Sequence, residues 1–200
     1  MTLTLDQARN ISCVNLGIAF MFTCALVSLP QERKCTLKLG QAPELRGFRL
    51  GMTAQQAQSQ VMGVGGLDKP DDLGMTAMTI YPFQLKSKDN GRGIQYISLN
   101  FLDHHLTAIE LRYDDSTKWD SIDQFAAKIS ESLQLPEMSK GRFGFLNRRT
   151  RTLACDAFRL QVMLVEENRG ALVLSEEGIQ EIIEKRKADL KEKQRNVFKP

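Results

Sequence analysis

Hydrophobic and polar residues divide this chain into two regions of different character. From Asn10 to Gln31 no side chain is charged, and Ile11–Leu29 (ISCVNLGIAFMFTCALVSL) has no polar face, though Ser12, Asn15 and Thr23 dilute it into a weak anchor. A helix of that length spans about 30 Å of hydrocarbon. Pro30 and the charged run that follows end it abruptly. Beyond Leu50 the pattern changes to short amphipathic periods. Thr53 and Gln56 form a capping box at the start of a helix whose stripe is Ala54, Ala57 and Val61, closed by Gly63. A strand is predicted over Met75–Tyr81, stopped by Pro82. A polar loop runs from Lys86 to Gly93. Ile97, Leu99 and Phe101 then alternate with polar neighbours, Asp103-His104-His105 turns the chain, and Ile109, Leu111 and Tyr113 return it as a hairpin.

The order then repeats. Trp119, Ile122, Phe125, Ala126, Ile129 and Leu133 recur at helical spacing after Thr117, the expected N-cap, and Pro136 closes that helix. Strands are predicted near Arg149–Cys155, Phe158–Val165 and Ala171–Leu174, then a helix from about Glu176 to Arg195. The expectation is an α+β fold with two tandem α-β-β-β units, residues 50–115 and 116–200. They would pair into one antiparallel sheet with helices on one face, preceded by the N-terminal hydrophobic helix. Residues 31–49 read as an irregular linker. Residues 1–30 read as a single-pass anchor through residues 11–29, or as a signal peptide cut after Ala25. Either places the protein in the cell envelope. Arg33, Lys34 and Lys38 follow the apolar run, and such positive charge tends to stay cytoplasmic.

Composition narrows the function. The 200 residues are 42% hydrophobic and 26% charged, an ordinary globular balance, and the net charge of +3 is too small to imply nucleic acid. Cys13 and Cys24 lie within the apolar run. Cys35 and Cys155 lie outside it without a CxxC partner, which argues against a zinc or thioredoxin-type site. They are either one disulfide of an exported domain or two unpaired thiols. The only histidines, His104 and His105, are adjacent in a turn, so they make a poor chelate and no nucleophile–base pair is visible. The GVGG at Gly63–Gly66 lacks the lysine and preceding strand of a phosphate loop and reads as a helix stop. No catalytic residue, metal site or cofactor is expected.

One stretch is distinctive. Lys140, Arg142, Arg148, Arg149 and Arg151 occur without an acidic residue among them, interleaved with Phe143 and Phe145. These five are the candidate contacts for a protein or an anionic envelope surface. The bland alternative is a solvated hairpin whose phenylalanines face the core.

Gly51-Met52-Thr53-Ala54-Gln55-Gln56, with Leu99-Asn100-Phe101 and Leu106-Thr107-Ala108-Ile109, resembles the small outer-membrane assembly lipoproteins of the SmpA/OmlA type. Those open on a similar helix start and reach a similar hairpin. The tandem arrangement is similar to that of the β-lactamase inhibitor protein. The chain departs from the pattern in having no convincing lipobox before Cys24, and Gly63–Gly66 replaces the usual Gly-x-Pro after the helix. The resemblance therefore implies a fold and no functional residues. The expected function is a non-enzymatic binding module, and the alternative is a ligand-sensing or hydrolytic domain whose site forms only on folding.

Overall fold

The computed structural model describes residues 35–63, 69–140 and 149–197. The hydrophobic run at 11–29 lies outside them. Among the described residues no helix is long and apolar enough to cross a membrane.

The fold is α+β, built on one seven-stranded sheet with every neighbouring pair antiparallel. The strands are β1 (Met75–Ile80), β2 (Ile94–Leu102), β3 (His105–Tyr113), β4 (Ser139–Lys140), β5 (Thr150–Ala154), β6 (Phe158–Leu164) and β7 (Gly170–Glu176), in the order β1-β2-β3-β7-β6-β5-β4. Two meanders thus meet through their last long strands, with Ile109 opposite Leu174 and Leu111 opposite Leu172. Asp103 and His104 take positive φ (49° and 68°), the two-residue hairpin geometry whose twist matches that of the flanking strands.

Among the described residues three α-helices complete the fold: α1 (Ala54–Gln58), α2 (Ile122–Leu133) and α3 (Ile179–Val197). Thr53 caps α1 as its sequence predicts: Gln56 N donates to Thr53 Oγ1 (3.2 Å) and Thr53 N to Gln56 Oε1 (2.8 Å). The helix is shorter than its apolar stripe suggested, because Val61 is taken by a β-bridge to Leu85. The N-cap of α2 is Ser121, not Thr117. Its Oγ accepts from Gln124 N at 3.2 Å, while Thr117 lies in the preceding turn.

Alternation along the strands sends one set of residues to a single core. Ile97, Leu99, Phe101, Ile109, Leu111, Leu160, Val162, Leu172 and Leu174 pack there beneath Ala57 of α1 and Ile122, Phe125, Ala126 and Ile129 of α2. Helix α3 contributes no residue to that cluster. Its Ile183 is buried apart from it, as are Leu102 and Ala171. Arg186 of α3 donates to both Asp103 and the Leu73 carbonyl, tying the helix to the β2–β3 turn.

The described part of the expected linker, residues 35–49, is packed structure. Leu45 and Phe48 are buried in the core and exchange backbone hydrogen bonds with each other. Cys35 is joined to Cys155 by a disulfide. Periodicity misses this segment because it holds its place through isolated side chains and one covalent bond.

Candidate binding surfaces

The open face of the sheet is the first candidate. On the side away from α1 and α2, Tyr96 and Ser98 of β2, Glu110 and Arg112 of β3, Val173 and Ser175 of β7, and Gln161 of β6 are all half-buried. Register places Tyr96 opposite Arg112 and Ser98 opposite Glu110. Arg112 Nε donates to Glu110 Oε1 at 2.7 Å, and the Tyr96 hydroxyl donates to the same oxygen at 3.4 Å. Burial and the Glu110 carboxylate push the Tyr96 phenol above its ordinary value; the hydrogen bond to Glu110 raises that of Arg112. The result is a fixed, neutral pair of opposite charges at the middle of a shallow face.

The basic stretch divides when placed on the fold. Arg142 and Arg148 lie outside the described residues. Lys140 is exposed at the sheet edge, in register with Arg151. Arg151 itself is only 5% exposed. Its Nε donates to Asp123 Oδ1 at 2.7 Å and its Nη1 to the Thr150 carbonyl at 2.7 Å. The guanidinium hydrogen bond holds the Asp123 carboxyl below its ordinary value. Arg151 therefore joins the sheet to α2 and is not presented as a contact. Arg149 is exposed, with Nη2 donating to the Val165 carbonyl at 2.8 Å. Sequence reading missed the Arg151 pairing because Asp123 is 28 residues away. No local pattern signals so distant a carboxylate.

The described surface also carries cavities. One of about 240 Å³ lies between Leu45, Tyr113, Ile129 and Leu172, with Glu44, Arg46 and Ser132 as its polar lining. Those groups have bonds of their own. Glu44 accepts from Arg49 at 2.7 Å, Arg46 donates to the Asp89 carbonyl, and Ser132 donates to the Lys128 carbonyl. The Tyr113 phenol, which burial pushes above its ordinary value, also interacts with Arg46. The other, about 530 Å³, is a shallow apolar depression beside Met62, Pro82 and Phe83. Among the described residues no group of three His, Cys, Asp or Glu side chains is placed to hold a metal. His104 and His105 occupy the β2–β3 turn, where the His104 carbonyl accepts from Ala54 N and His105 bridges Thr53.

Compared with known proteins, the chain matches no family model, no curated protein and no solved structure.

Proposed function

We propose that this protein is a non-enzymatic binding module of the cell envelope. Residues 1–30 direct it there, as a membrane anchor or as a signal cleaved on export, and it grips a macromolecular partner, either a protein or an anionic envelope component, on the open face of its sheet. The observation that carries the reading is the contrast between the two sheet faces. One is sealed by α1, α2 and the segment around Phe48, while the other leaves a mostly polar, half-exposed row across four adjacent strands, bordered by the buried Ala171 and Leu102. Deep pockets lined by converging polar groups favour small ligands, whereas broad shallow faces favour macromolecules. We read the two meanders as tandem α-β-β-β units, in keeping with the resemblance to the SmpA/OmlA-type and inhibitor-protein folds. Such duplication widens the face beyond what one hairpin offers.

The test is affinity capture from envelope extract with the full chain and with the double charge swap Glu110→Lys/Arg112→Glu. The swap keeps a local pair, so the thermal midpoint should hold, but it reverses the field offered to a partner. A partner retained by the parent chain and lost by the swap supports the reading. Equal capture by both would remove the sheet face as the site.

A further inference from the structure

The loop joining β1 to β2, with Met62 beside it, exposes apolar surface that no other described residue covers. Phe83 is 78% exposed, Met62 52% and Tyr81 47%. The rings of Tyr81 and Phe83 stack with centroids 6.0 Å apart and planes within 4°. The loop is not loose. Met62 N donates to the Gln84 carbonyl at 2.7 Å and Lys86 N to the Gln60 carbonyl at 3.0 Å, pinning it to the chain after α1 from both sides of a buried Leu85. Gly91 closes tightly on Pro82, so that even a Cβ there would stand 3.0 Å from the Pro82 carbonyl oxygen. The exposed aromatics are therefore held outward by a fixed frame.

Their surroundings are cationic. Lys86, Lys88 and Arg92 are all exposed and, with Met62 and Phe83, border the shallow depression. Asp89 is the one carboxylate among them and pairs with Arg92 at 3.4 Å, both fully in solvent. Such a pair is weak, and the two lysines keep their charge facing outward. Protruding aromatics with flanking lysines suit a bilayer interface, where rings sit at headgroup depth and ammonium groups reach the phosphates. Among the described residues Phe83 is the most exposed large apolar side chain.

We propose that the Met62–Tyr81–Phe83 cluster with Lys86, Lys88 and Arg92 is a peripheral docking surface for an anionic phospholipid bilayer. It rests on the reading that the chain works at a membrane, and is independent of the sheet face. Docking would insert Phe83 and Met62 into the interface and set the three cations over acidic headgroups. Each basic residue near such a surface is worth roughly fivefold in partitioning.

The test uses the full chain carrying Phe83→Trp, with the parent chain giving the Trp119 background, on vesicles of phosphatidylcholine with or without about one-third phosphatidylglycerol. The full chain includes residues 11–29, which as an anchor would hold it on either vesicle, so the reading is local: emission shift and quenching by brominated lipid. The expected result is a blue-shifted, quenched reporter on anionic vesicles only, with Lys86→Gln/Lys88→Gln weakening docking roughly twentyfold at an unchanged thermal midpoint. Met62→Ser in the same reporter chain should weaken it further. An unquenched reporter on vesicle-bound protein would overturn the proposal, as would equal quenching with and without phosphatidylglycerol. An identical shift with soluble polyglutamate would assign the patch to an acidic protein segment and overturn it too. The Glu110→Lys/Arg112→Glu swap should leave docking intact, which separates failure here from failure of the sheet-face reading.

Discussion

Breaking the Cys35–Cys155 disulfide probes how far the N-terminal segment belongs to the domain. The two cysteines are 120 residues apart and both are buried. In the chain-entropy account, a loop of that length removes about 16 cal/mol/K from the unfolded ensemble, or about 5 kcal/mol at 25 °C. The bridge also holds Cys35 beside Cys155, on the chain leading to Leu45 and Phe48. A Cys35→Ala/Cys155→Ala variant loses the crosslink along with two small apolar contacts, so about 4–6 kcal/mol is expected. For a domain of this size that lowers the melting temperature by roughly 10–20 °C. Urea unfolding of oxidised parent, reduced parent and double variant, followed by far-UV circular dichroism, measures it. The oxidised chain should also show a smaller m-value, since its unfolded state stays more compact. Stabilities agreeing within 1 kcal/mol would refute the reasoning and return residues 35–49 to the status of a linker.

Three further perturbations test the packing and charge assignments. Gly170→Ala should cost about 1–3 kcal/mol in chemical denaturation, because the added methyl would come within 2.7 Å of the Phe125 ring in the core; an unaltered midpoint would mean that the ring shifts freely. Arg151→Ser should destabilise by about 1–3 kcal/mol, since it empties a buried site and leaves Asp123 and the Thr150 carbonyl without their donor; Arg149→Ser should cost under about 1 kcal/mol, and equal losses would contradict the different roles given to them. The hydrogen bond from Arg186 holds the Asp103 carboxyl below its ordinary value, so the tether's contribution is complete above that ordinary value and is lost as pH falls through the depressed one. Protection of the α3 amides, taken relative to their intrinsic exchange rates, should fall in the parent as Asp103 protonates, and Arg186→Gln should be less protected at every pH; a parent whose protection does not change as Asp103 protonates would count against the tether.

The parts of the fold written in local periodicity were legible. Alternation at Ile97, Leu99 and Phe101 and at Ile109 and Leu111 marks β2 and β3, and a 3.6-residue recurrence from Ile122 to Ile129 marks α2. The Thr53 capping box is equally local. What escaped the sequence depends on distant partners. The segment carrying Leu45 and Phe48 has no period, and its place is set by long-range packing and the bridge to Cys155. The strand β4 is two residues long, too short to alternate. Arg151 read as an outward contact because its neighbours are basic; only the fold brings Asp123 to it. The Phe83 patch escaped for the opposite reason. Tyr81 reads as the end of a strand stopped by Pro82, with Phe83 just beyond it, and exposure is a property of the assembled surface.

The most direct test of the account is site-specific photo-crosslinking from the open face of the sheet in the native envelope. A photoreactive side chain at Ser98 or Gln161 in the full chain, flanking the Glu110–Arg112 pair, should yield a discrete adduct with one macromolecular partner. The same group at Ser132, on α2 across the core, should give none. Adducts of equal yield from both faces, or from Ser132 alone, would contradict the assignment of the open sheet face as the binding surface.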